Sequence, residues 1–412
     1  MKVFYGWRMV GAAFGIQFLI AALMAQAFGL YVAIMATDLG WSKTALAGAA
    51  ALQSVESTLT GPALGYLVDR FGPRRLIRLG VLCMSAGLML LSQVQSIGVF
   101  YVCAVMMSLG ASLSGYFPLS ISLMHWFDRH RARALSMMTL GLAFGGLTVP
   151  LNAYVMQHWG WRSSALGSGL LVLLIGLPLA GIMRHKPQHH GEHPDGIAQT
   201  PHNAETGPSA PSQVQFTLAQ AVRTRTFWLI SLGHGLALMV VSAVSVHAVT
   251  HLKEGLGLSV TAASGFIMLM TLGQLGGVLL GVLIGSRLEK RKVAAVCMLL
   301  HALGLLCLTW ATGPVMLWGF ALFHGVAWGL RGPYMQALRA DYFGTRAIGQ
   351  IMGISTILVA LGQMTGPLLA GWMADATGNY HLGLSLLALL AALGSVLFLW
   401  ARPPHPPAAR SS

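Results

Sequence analysis

Twelve long apolar stretches dominate this sequence and restrict the folds that it can adopt. Each is close to the length of about 20 residues that an α-helix needs to cross a bilayer. Hydrophobic residues form 55% of the chain and charged residues 9%, with a mean hydropathy of +0.69, which excludes a soluble globular domain. The sequence therefore predicts an all-α integral membrane protein with transmembrane helices at 9–34, 44–68, 76–95, 98–124, 133–156, 163–183, 226–250, 260–286, 293–312, 315–338, 347–373 and 380–400.

A polar segment at 185–225 separates the first six apolar stretches from the last six. It is rich in Pro, Gly, His, Ser and Gln and lacks the apolar residues needed to bury a core, so we expect a mobile cytoplasmic linker. The flanking regions are then a first six-helix bundle at 1–184, a second at 226–401 and a cytoplasmic tail at 402–412.

Several histidines in this linker suggest a metal site at first sight. Selective coordination needs a fixed ligand geometry, and a flexible segment does not provide one. We therefore expect no metal at the linker histidines, which are His185, His189, His190, His193 and His202.

The two halves repeat at an offset of 216 residues. This offset places Gly65 on Gly281, where a glycine-spaced helix end again precedes a basic loop. It also places the Trp126-Phe127 pair on Tyr342-Phe343. Repeated six-helix halves indicate two bundles related by an internal repeat, as in many secondary transporters.

The charges favour a membrane topology with both termini in the cytoplasm. The formal net charge of +14 does not indicate a nucleic-acid partner, because the basic residues are scattered through short loops. With both termini inside, 21 of the 25 Lys and Arg residues are cytoplasmic, and Lys43, Arg162 and Lys253 are outside. We expect a multi-pass protein of a bacterial inner membrane, functional as a monomer.

A polar loop between the second and third stretches carries a family signature. Gly72-Pro73 forces a turn, and arginines before and after it mark the loop as cytoplasmic. The loop resembles the signature of the major facilitator superfamily, which it matches at Gly65, Asp69, Arg70, Gly72 and Arg74. The resemblance implies that Asp69 latches an inner gate against the other half. The alternative is a solvated charge at a helix end.

A second motif follows the fourth stretch. His125-Trp126-Phe127 precedes a basic run and then Gly141 and Gly145, while Tyr5-Gly6-Trp7 precedes the first helix. These stretches resemble the monocarboxylate porter and oxalate/formate antiporter branch, with Ser136 where that branch usually has Gly. The resemblance implies a secondary transporter of a small organic anion.

Two charged residues are expected near the middle of the bilayer, where charge is costly and tends to serve a function. Arg331 in the tenth stretch is expected roughly 15 Å from the cytoplasmic surface, and Glu56 in the second stretch roughly 20 Å from the same surface. Arg331 is the predicted anchor for a substrate carboxylate, and Glu56 is the predicted proton carrier. The alternatives are an Arg331 paired permanently with Glu56 or backbone carbonyls, and a Glu56 that only holds helices together.

Other candidate substrate contacts surround this anchor. His324 and Trp328 share a helix face with Arg331, and Tyr116 adjoins a small polar face that contains Ser108, Ser112 and Gly115. His247 in the seventh helix is a further candidate for substrate binding, and packing is its alternative role. With Arg331 as the only buried permanent cation, a monoanion is the expected substrate.

The sequence thus predicts alternating-access transport of a monocarboxylate, coupled to protons by symport. The main alternative is a proton-coupled drug or metabolite exporter, and a non-transporting membrane sensor is a further one. The sequence has no nucleophile elbow, phosphate loop or metal-ligand pair at useful spacing, so we expect neither an enzyme nor a cofactor.

Overall fold

The computed structural model describes residues 4–41, 43–197 and 215–405. All regular structure within these residues is helical, as predicted. The chain divides into two compact units, Met1–Ala210 and Pro211–Ser412. Eight of the described helical segments are long and apolar enough to cross a membrane.

The N-terminal unit forms six rods from nine helices. These are α1 (Tyr5–Ile20), α2 (Phe28–Asp38), α3 (Lys43–Phe71), α4 (Pro73–Leu91), α5 (Ile97–Ser114), α6 (Tyr116–Trp126), α7 (Arg131–Gly146), α8 (Val149–Leu171) and α9 (Leu177–Ile182). π-helical turns at Ala21–Ala25 and Val172–Gly176 connect α1 to α2 and α8 to α9. Gly160 has a φ of +76° and breaks α8, which separates the fifth rod from the sixth.

The C-terminal unit repeats the arrangement with fewer interruptions. After the short α10 (Leu218–Val222), its six long helices are α11 (Arg225–Thr250), α12 (Val260–Ile284), α13 (Lys290–Thr309), α14 (Pro314–Phe343), α15 (Ile348–Thr377) and α16 (His381–Trp400). The main packed pairs are α12 with α14, α11 with α15, and α13 with α14 and α16. Together the units give the predicted twelve helices in two six-helix bundles.

Small residues allow the paired helices to approach closely, as expected for packing in lipid. A Cβ atom built on Gly362 of α15 would overlap the backbone carbonyl of Gly235 on α11. A Cβ atom on Gly329 of α14 would likewise overlap the carbonyl of Gln274 on α12. These contacts fix the distance between helices that carry the polar residues of the C-terminal unit.

We expect Gly362→Val to destabilise the C-terminal unit by about 1 to 3 kcal/mol, because the added side chain must separate α11 from α15. Thermal unfolding of the purified protein in detergent measures this effect. Gly265→Val on α12 is the control, since a Cβ at Gly265 meets nothing within 4 Å. Equal unfolding midpoints for the two variants would contradict the close contact.

Both flanks of the predicted linker contain short helices. Residues 184–197 contain short 3₁₀ helices at Pro187–His190 and Pro194–Gly196. The other flank contains α10, which begins with a capping box between Thr217 and Gln220. Residues 198–214, with His202, lie outside the described residues.

Side-chain contacts hold the first flank to the N-terminal unit. The Asp195 carboxylate accepts hydrogen bonds from the backbone N–H groups of Asp128 at 3.1 Å, Arg129 at 2.7 Å and His130 at 3.4 Å. These groups precede α7, so a negative charge there is favourable. Gly196 lies against the ring of Phe4.

The second flank makes the corresponding contact in the C-terminal unit. Gln215 Oε1 accepts from the backbone N–H groups of Thr345 at 3.1 Å and Arg346 at 2.9 Å, and Phe216 packs edge-on against Phe343. The offset of 216 places Arg129 and His130 on Thr345 and Arg346, so both flanks bind equivalent loops. Local composition could not predict these contacts, because each flank and the loop that it binds are distant in sequence.

Acidification is expected to loosen the first flank through His185. Its ring lies against Gly72 and edge-on to His125, at a centroid distance of 5.3 Å. Burial, with smaller contributions from the charges of Lys186 and His189, lowers the pKa of His185 to about 4. The undocked segment therefore binds more protons between about pH 6.5 and pH 4, and docking weakens as the pH falls through that range.

Hydrogen exchange of residues 184–197 at about pH 7.5 and about pH 5 measures this weakening, after correction for the intrinsic exchange rate. His185→Gln should remove most of the pH dependence, whereas the control His405→Gln changes an exposed histidine of the other unit and should leave it unchanged. Equal protection at both pH values in the parent would contradict the role of His185.

Candidate functional site

The predicted proton carrier, Glu56, lies at the contact between α3 and α5. Ser108 Oγ donates to Glu56 Oε2 at 2.5 Å, and Ser112 Oγ lies 3.3 Å from the same oxygen. Thr60 Oγ1 is 2.7 Å from Oε1. Hydroxyl groups can rotate to donate or accept. The three hydroxyl groups around Glu56 can therefore form hydrogen bonds with its carboxyl group whether that group is charged or neutral.

These hydrogen bonds involve the small polar face that is predicted on the fourth membrane helix, which corresponds to α5 and α6. Two of its members, Ser108 and Ser112, are engaged with Glu56 inside the N-terminal unit. Tyr116 lies just beyond them, at the first residue of α6, and its ring is half-buried. The sequence pattern does not connect Glu56 with this face, and the structure places them together.

The predicted carboxylate anchor, Arg331, lies inside α14 with only 2% of its surface exposed. Its Nη1 atom is 3.4 Å from the sulfur of Met335, one turn further along the helix. Its charge also acts on Cys297 and His301 of the neighbouring α13. Arg331 is therefore a buried permanent cation in the interior of the C-terminal unit.

His324 and Trp328 take different positions around this arginine. His324 is fully buried and turns towards α13, where its Nδ1 atom is 3.2 Å from Nδ1 of His301. Trp328 is half-buried, with its ring 6.3 Å from that of His324. His301 was given no role from the sequence, because nothing in the local pattern indicates a partner on the next helix.

Two other arginines, Arg131 of α7 and Arg339 of α14, are also buried, which corrects the expectation that Arg331 is the only buried permanent cation. Arg339 is 3% exposed, and its Nη2 group contacts Ser355 Oγ at 2.9 Å and His234 Nδ1 at 3.0 Å. The predicted tenth helix ends at residue 338, which places Arg339 in the cytoplasmic loop, whereas α14 continues to Phe343. His234, which also had no predicted role, accepts a hydrogen bond from this guanidinium.

His247 bridges three helices of the C-terminal unit. Its Nε2 atom is 2.9 Å from the carbonyl oxygen of Pro367, and its Nδ1 atom is 3.2 Å from the hydroxyl of Tyr380. Since a carbonyl only accepts, Nε2 donates to Pro367 and Nδ1 accepts from Tyr380. Both nitrogens thus take part in contacts within the C-terminal unit, and substrate binding by His247 stays a prediction beside the packing alternative.

The signature loop has the expected turn. α3 ends at Phe71 and α4 begins at Pro73, and Gly72 between them has a φ of +79° that strongly favours glycine. Gly65 is buried, Asp69 and Arg74 are half-buried, and Arg70 is exposed with Nη1 bonded to the hydroxyl of Tyr66 at 2.5 Å. In the second unit the equivalent position of Asp69 is Gly285, whose carbonyl accepts from Tyr334.

Sequence comparison identifies the family of this twelve-helix chain. The sequence profile described as Major Facilitator Superfamily matches residues 13–289 and 230–412. The chain belongs to this superfamily. It is accordingly a multi-pass membrane transporter of small molecules and not an enzyme, as the sequence predicted.

Individual superfamily members agree with the predicted branch. The MFS-type transporter YcxA of Bacillus subtilis (strain 168) is 23% identical over 362 residues, covering 82% of this chain and 80% of its own. Monocarboxylate transporter 4 of Rattus norvegicus is 26% identical over 402 residues, covering 91% and 78%. These matches confirm that the chain resembles the monocarboxylate branch.

A solved structure confirms the fold. The human organic anion transporter MFSD10 (TETRAN) superposes on this chain with a TM-score of 0.73, covering 95% of this chain and 99% of its own. Because the two sequences are 15% identical, this likeness shows the major facilitator fold alone.

Proposed function

We propose that this protein transports a small monocarboxylate together with a proton, by alternating access of its two bundles. The observation that carries the proposal is Arg331, a permanently charged guanidinium that is 2% exposed in the middle of a membrane helix. A permanent charge in that position is costly and tends to serve a function. The similarity to Monocarboxylate transporter 4 supports an anionic substrate.

The chemistry of Arg331 suits a carboxylate. A guanidinium presents two parallel N–H donors that match the two carboxylate oxygens, and it stays charged at every physiological pH. In this proposal the half-buried Trp328, on the same helix as Arg331, supplies aromatic surface for the body of the substrate. Glu56 is the proposed proton carrier, since its ring of hydroxyl groups can satisfy both of its protonation states.

The presence of Arg339 does not change the proposed charge of the substrate. Its guanidinium is bonded to Ser355 and His234, which attach α14 to α15 and α11. We therefore assign the substrate carboxylate to Arg331 alone and expect a monoanion to be preferred over a dianion. Asp69 is proposed to latch the inner gate, with both termini in the cytoplasm of a bacterial cell and the monomer as the working unit.

Uptake by proteoliposomes tests this function. The parent protein is assayed with radiolabelled acetate, L-lactate, pyruvate and benzoate, and with succinate as the dicarboxylate, with and without an inward proton gradient. We expect gradient-stimulated uptake of at least one monocarboxylate above that of protein-free liposomes, and little uptake of succinate. A correctly inserted protein that takes up none of these acids would contradict the proposal and favour the exporter.

A further inference from the structure

An ion pair connects three elements at one end of the N-terminal unit, where α2 ends beside α8 and the loop between α4 and α5. Asp38 Oδ2 accepts hydrogen bonds from Trp161 Nε1 at 2.8 Å and from Arg162 Nη1 at 3.1 Å. Arg162 Nη2 also donates to the carbonyl oxygen of Val94 at 3.3 Å. These four residues are called the N-terminal junction.

Both charges of the N-terminal junction persist over the physiological pH range. The hydrogen bond from Trp161, with further contributions from Arg162, lowers the pKa of Asp38. A guanidinium stays protonated throughout this range. The contacts of this junction are therefore the same at about pH 8 and about pH 5.5.

The internal repeat does not preserve this ion pair in the C-terminal unit. At the offset of 216 residues, Glu254 corresponds to Asp38, but Gly378 corresponds to Arg162. Glycine has no side chain that could bind a carboxylate. The equivalent end of the C-terminal unit must therefore be connected in another way.

Two histidines lie at this end. His251 is 1% exposed in a π-helical turn that continues α11, and the half-buried His381 is the first residue of α16. Their ring centroids are 5.9 Å apart, with the rings nearly perpendicular. His251 Nε2 is 3.1 Å from the carbonyl oxygen of Leu308 near the end of α13, and the His381 ring is 4.8 Å from that of Trp310. These four residues are called the C-terminal junction.

The contact with Leu308 determines where His251 carries its proton. A carbonyl only accepts, so Nε2 donates and Nδ1 of the neutral ring is an acceptor. This Nδ1 atom is buried and has no hydrogen-bond partner among the described residues, and the same holds for Nδ1 of His381. Two apolar side chains would fill the same space without leaving such atoms unpaired, so packing alone does not explain the histidines.

One additional proton can satisfy both nitrogen atoms. A neutral His381 provides an N–H group at Nδ1 in only one of its two tautomers, whereas the protonated ring always provides it. After a rotation of the His381 ring, this group can donate to Nδ1 of His251. A hydrogen bond from a charged donor is also stronger than one between neutral groups.

The surroundings of His381 favour a positive charge. The ring of Trp310 lies close enough for a cation–π contact. Burial, with contributions from the charges of Glu254 and Asp375, raises the pKa of the adjacent Tyr380, so both carboxylates act on this region. Of the described groups on the surrounding elements, the exposed Lys253 is the permanent cation.

The other titratable groups around the C-terminal junction do not supply the missing hydrogen bond. His247 already donates to Pro367 and accepts from Tyr380. The α12 helix (Val260–Ile284) contains no titratable residue. The groups on the packed elements are His247, Lys253 and Glu254 on α11 and its continuation, Cys307 on α13, Asp375 on α15, and Tyr380 before α16.

We propose that His251 and His381 form a proton-binding site that fastens this end of the C-terminal unit. The protonated His381 donates from Nδ1 to His251, which donates from Nε2 to Leu308, so hydrogen bonds connect α16 with α11 and α13. The packed end binds this proton more tightly than a loosened end does, and lowering the pH therefore strengthens the packing. In the topology proposed above, this end faces the outside of the cell and responds to the external pH.

Hydrogen exchange of the purified full-length protein in detergent, at about pH 8 and about pH 5.5, tests the inference after correction for the intrinsic exchange rate. In the parent, we expect residues 308–313 and 378–385 to exchange at least about threefold more slowly at the lower pH. Residues 92–97, the equivalent loop of the N-terminal unit, should change by less than about twofold, because the ion pair there keeps its charges.

Two variants remove different parts of the proposed site. His381→Gln removes the group that is protonated, and it should reduce the pH-dependent change at residues 378–385 to less than about twofold. His251→Leu removes the accepting nitrogen and leaves His381 in place, and it should have the same effect. His158→Gln changes an exposed histidine near the N-terminal junction and should behave as the parent.

The contrast between the two junctions in the parent needs no substitution, so it tests the inference even where a variant does not fold. An equal response of the two loops to pH would overturn the proposal. A folded His381→Gln that keeps the parent's pH dependence would also overturn it. No substrate enters this experiment, so its outcome is separate from that of the uptake assay.

Discussion

Replacing Arg331 with Gln is expected to reduce monocarboxylate uptake by at least about 30-fold, which corresponds to roughly 2 kcal/mol of lost interaction. Glutamine keeps polar atoms near the same place but removes the charge and the paired N–H donors that match a carboxylate. Initial rates in proteoliposomes, over a range of acid concentrations, measure the loss. The effect should appear with every monocarboxylate that the parent transports, because the carboxylate is their shared group.

Two further variants distinguish the loss of the charge and shape of the Arg331 side chain from a general loss of function. Arg331→Lys keeps the charge and loses the planar fork, so we expect it to recover part of the uptake. Arg287→Gln removes an exposed cation from the same unit and is the charge-matched control, with uptake near that of the parent. If folded Arg331→Gln transports as well as Arg287→Gln, Arg331 does not anchor the substrate.

The membrane helices and the signature turn could be predicted because their signals are local. Bilayer thickness sets the length of an apolar stretch, so twelve spans follow from hydropathy without knowledge of their neighbours. Gly72 and Pro73 determine a turn through their own backbone preferences. The position of Arg331 inside a long helix also follows from the length of its apolar stretch.

The partners of the buried polar residues could not be predicted, since they depend on which helices pack together and in what register. The burial of Arg339 depends on Ser355 and His234, which come from α15 and α11. The pairing of His301 with His324 similarly depends on the alignment of α13 with α14. Sequence spacing places His324 and Arg331 on one face of their helix, but it contains no information on the facing helix.

The order in the linker flanks escaped prediction for a related reason. Composition describes how much apolar surface a segment can bury, and residues 185–197 can bury little. Asp195 instead holds the segment through hydrogen bonds to three backbone N–H groups that precede α7. Its φ of +58° is unusual for a residue other than glycine, although aspartate adopts it more readily than most side chains and Pro194-Asp195-Gly196 favours a turn.

Replacing Glu56 with Gln is expected to separate substrate movement from the proton gradient. Glutamine has nearly the same shape and can keep a hydrogen bond with each of Thr60, Ser108 and Ser112, because the hydroxyl groups rotate to donate or accept. The variant should therefore fold, with a stability loss of about 1 kcal/mol. It cannot bind and release a proton at this position, so gradient-driven accumulation should fall at least about fivefold, to the level without a gradient.

Exchange of labelled for unlabelled acid across the membrane, without any gradient, is the internal control for this variant. Such exchange requires the substrate site and the conformational change but no net proton movement, so it should persist in Glu56→Gln. Glu254→Gln removes an exposed carboxylate from the C-terminal unit and should show normal accumulation. Accumulation in Glu56→Gln that still follows the proton gradient would remove Glu56 from the coupling mechanism. Loss of exchange together with accumulation would instead make the carboxylate essential for the conformational change itself.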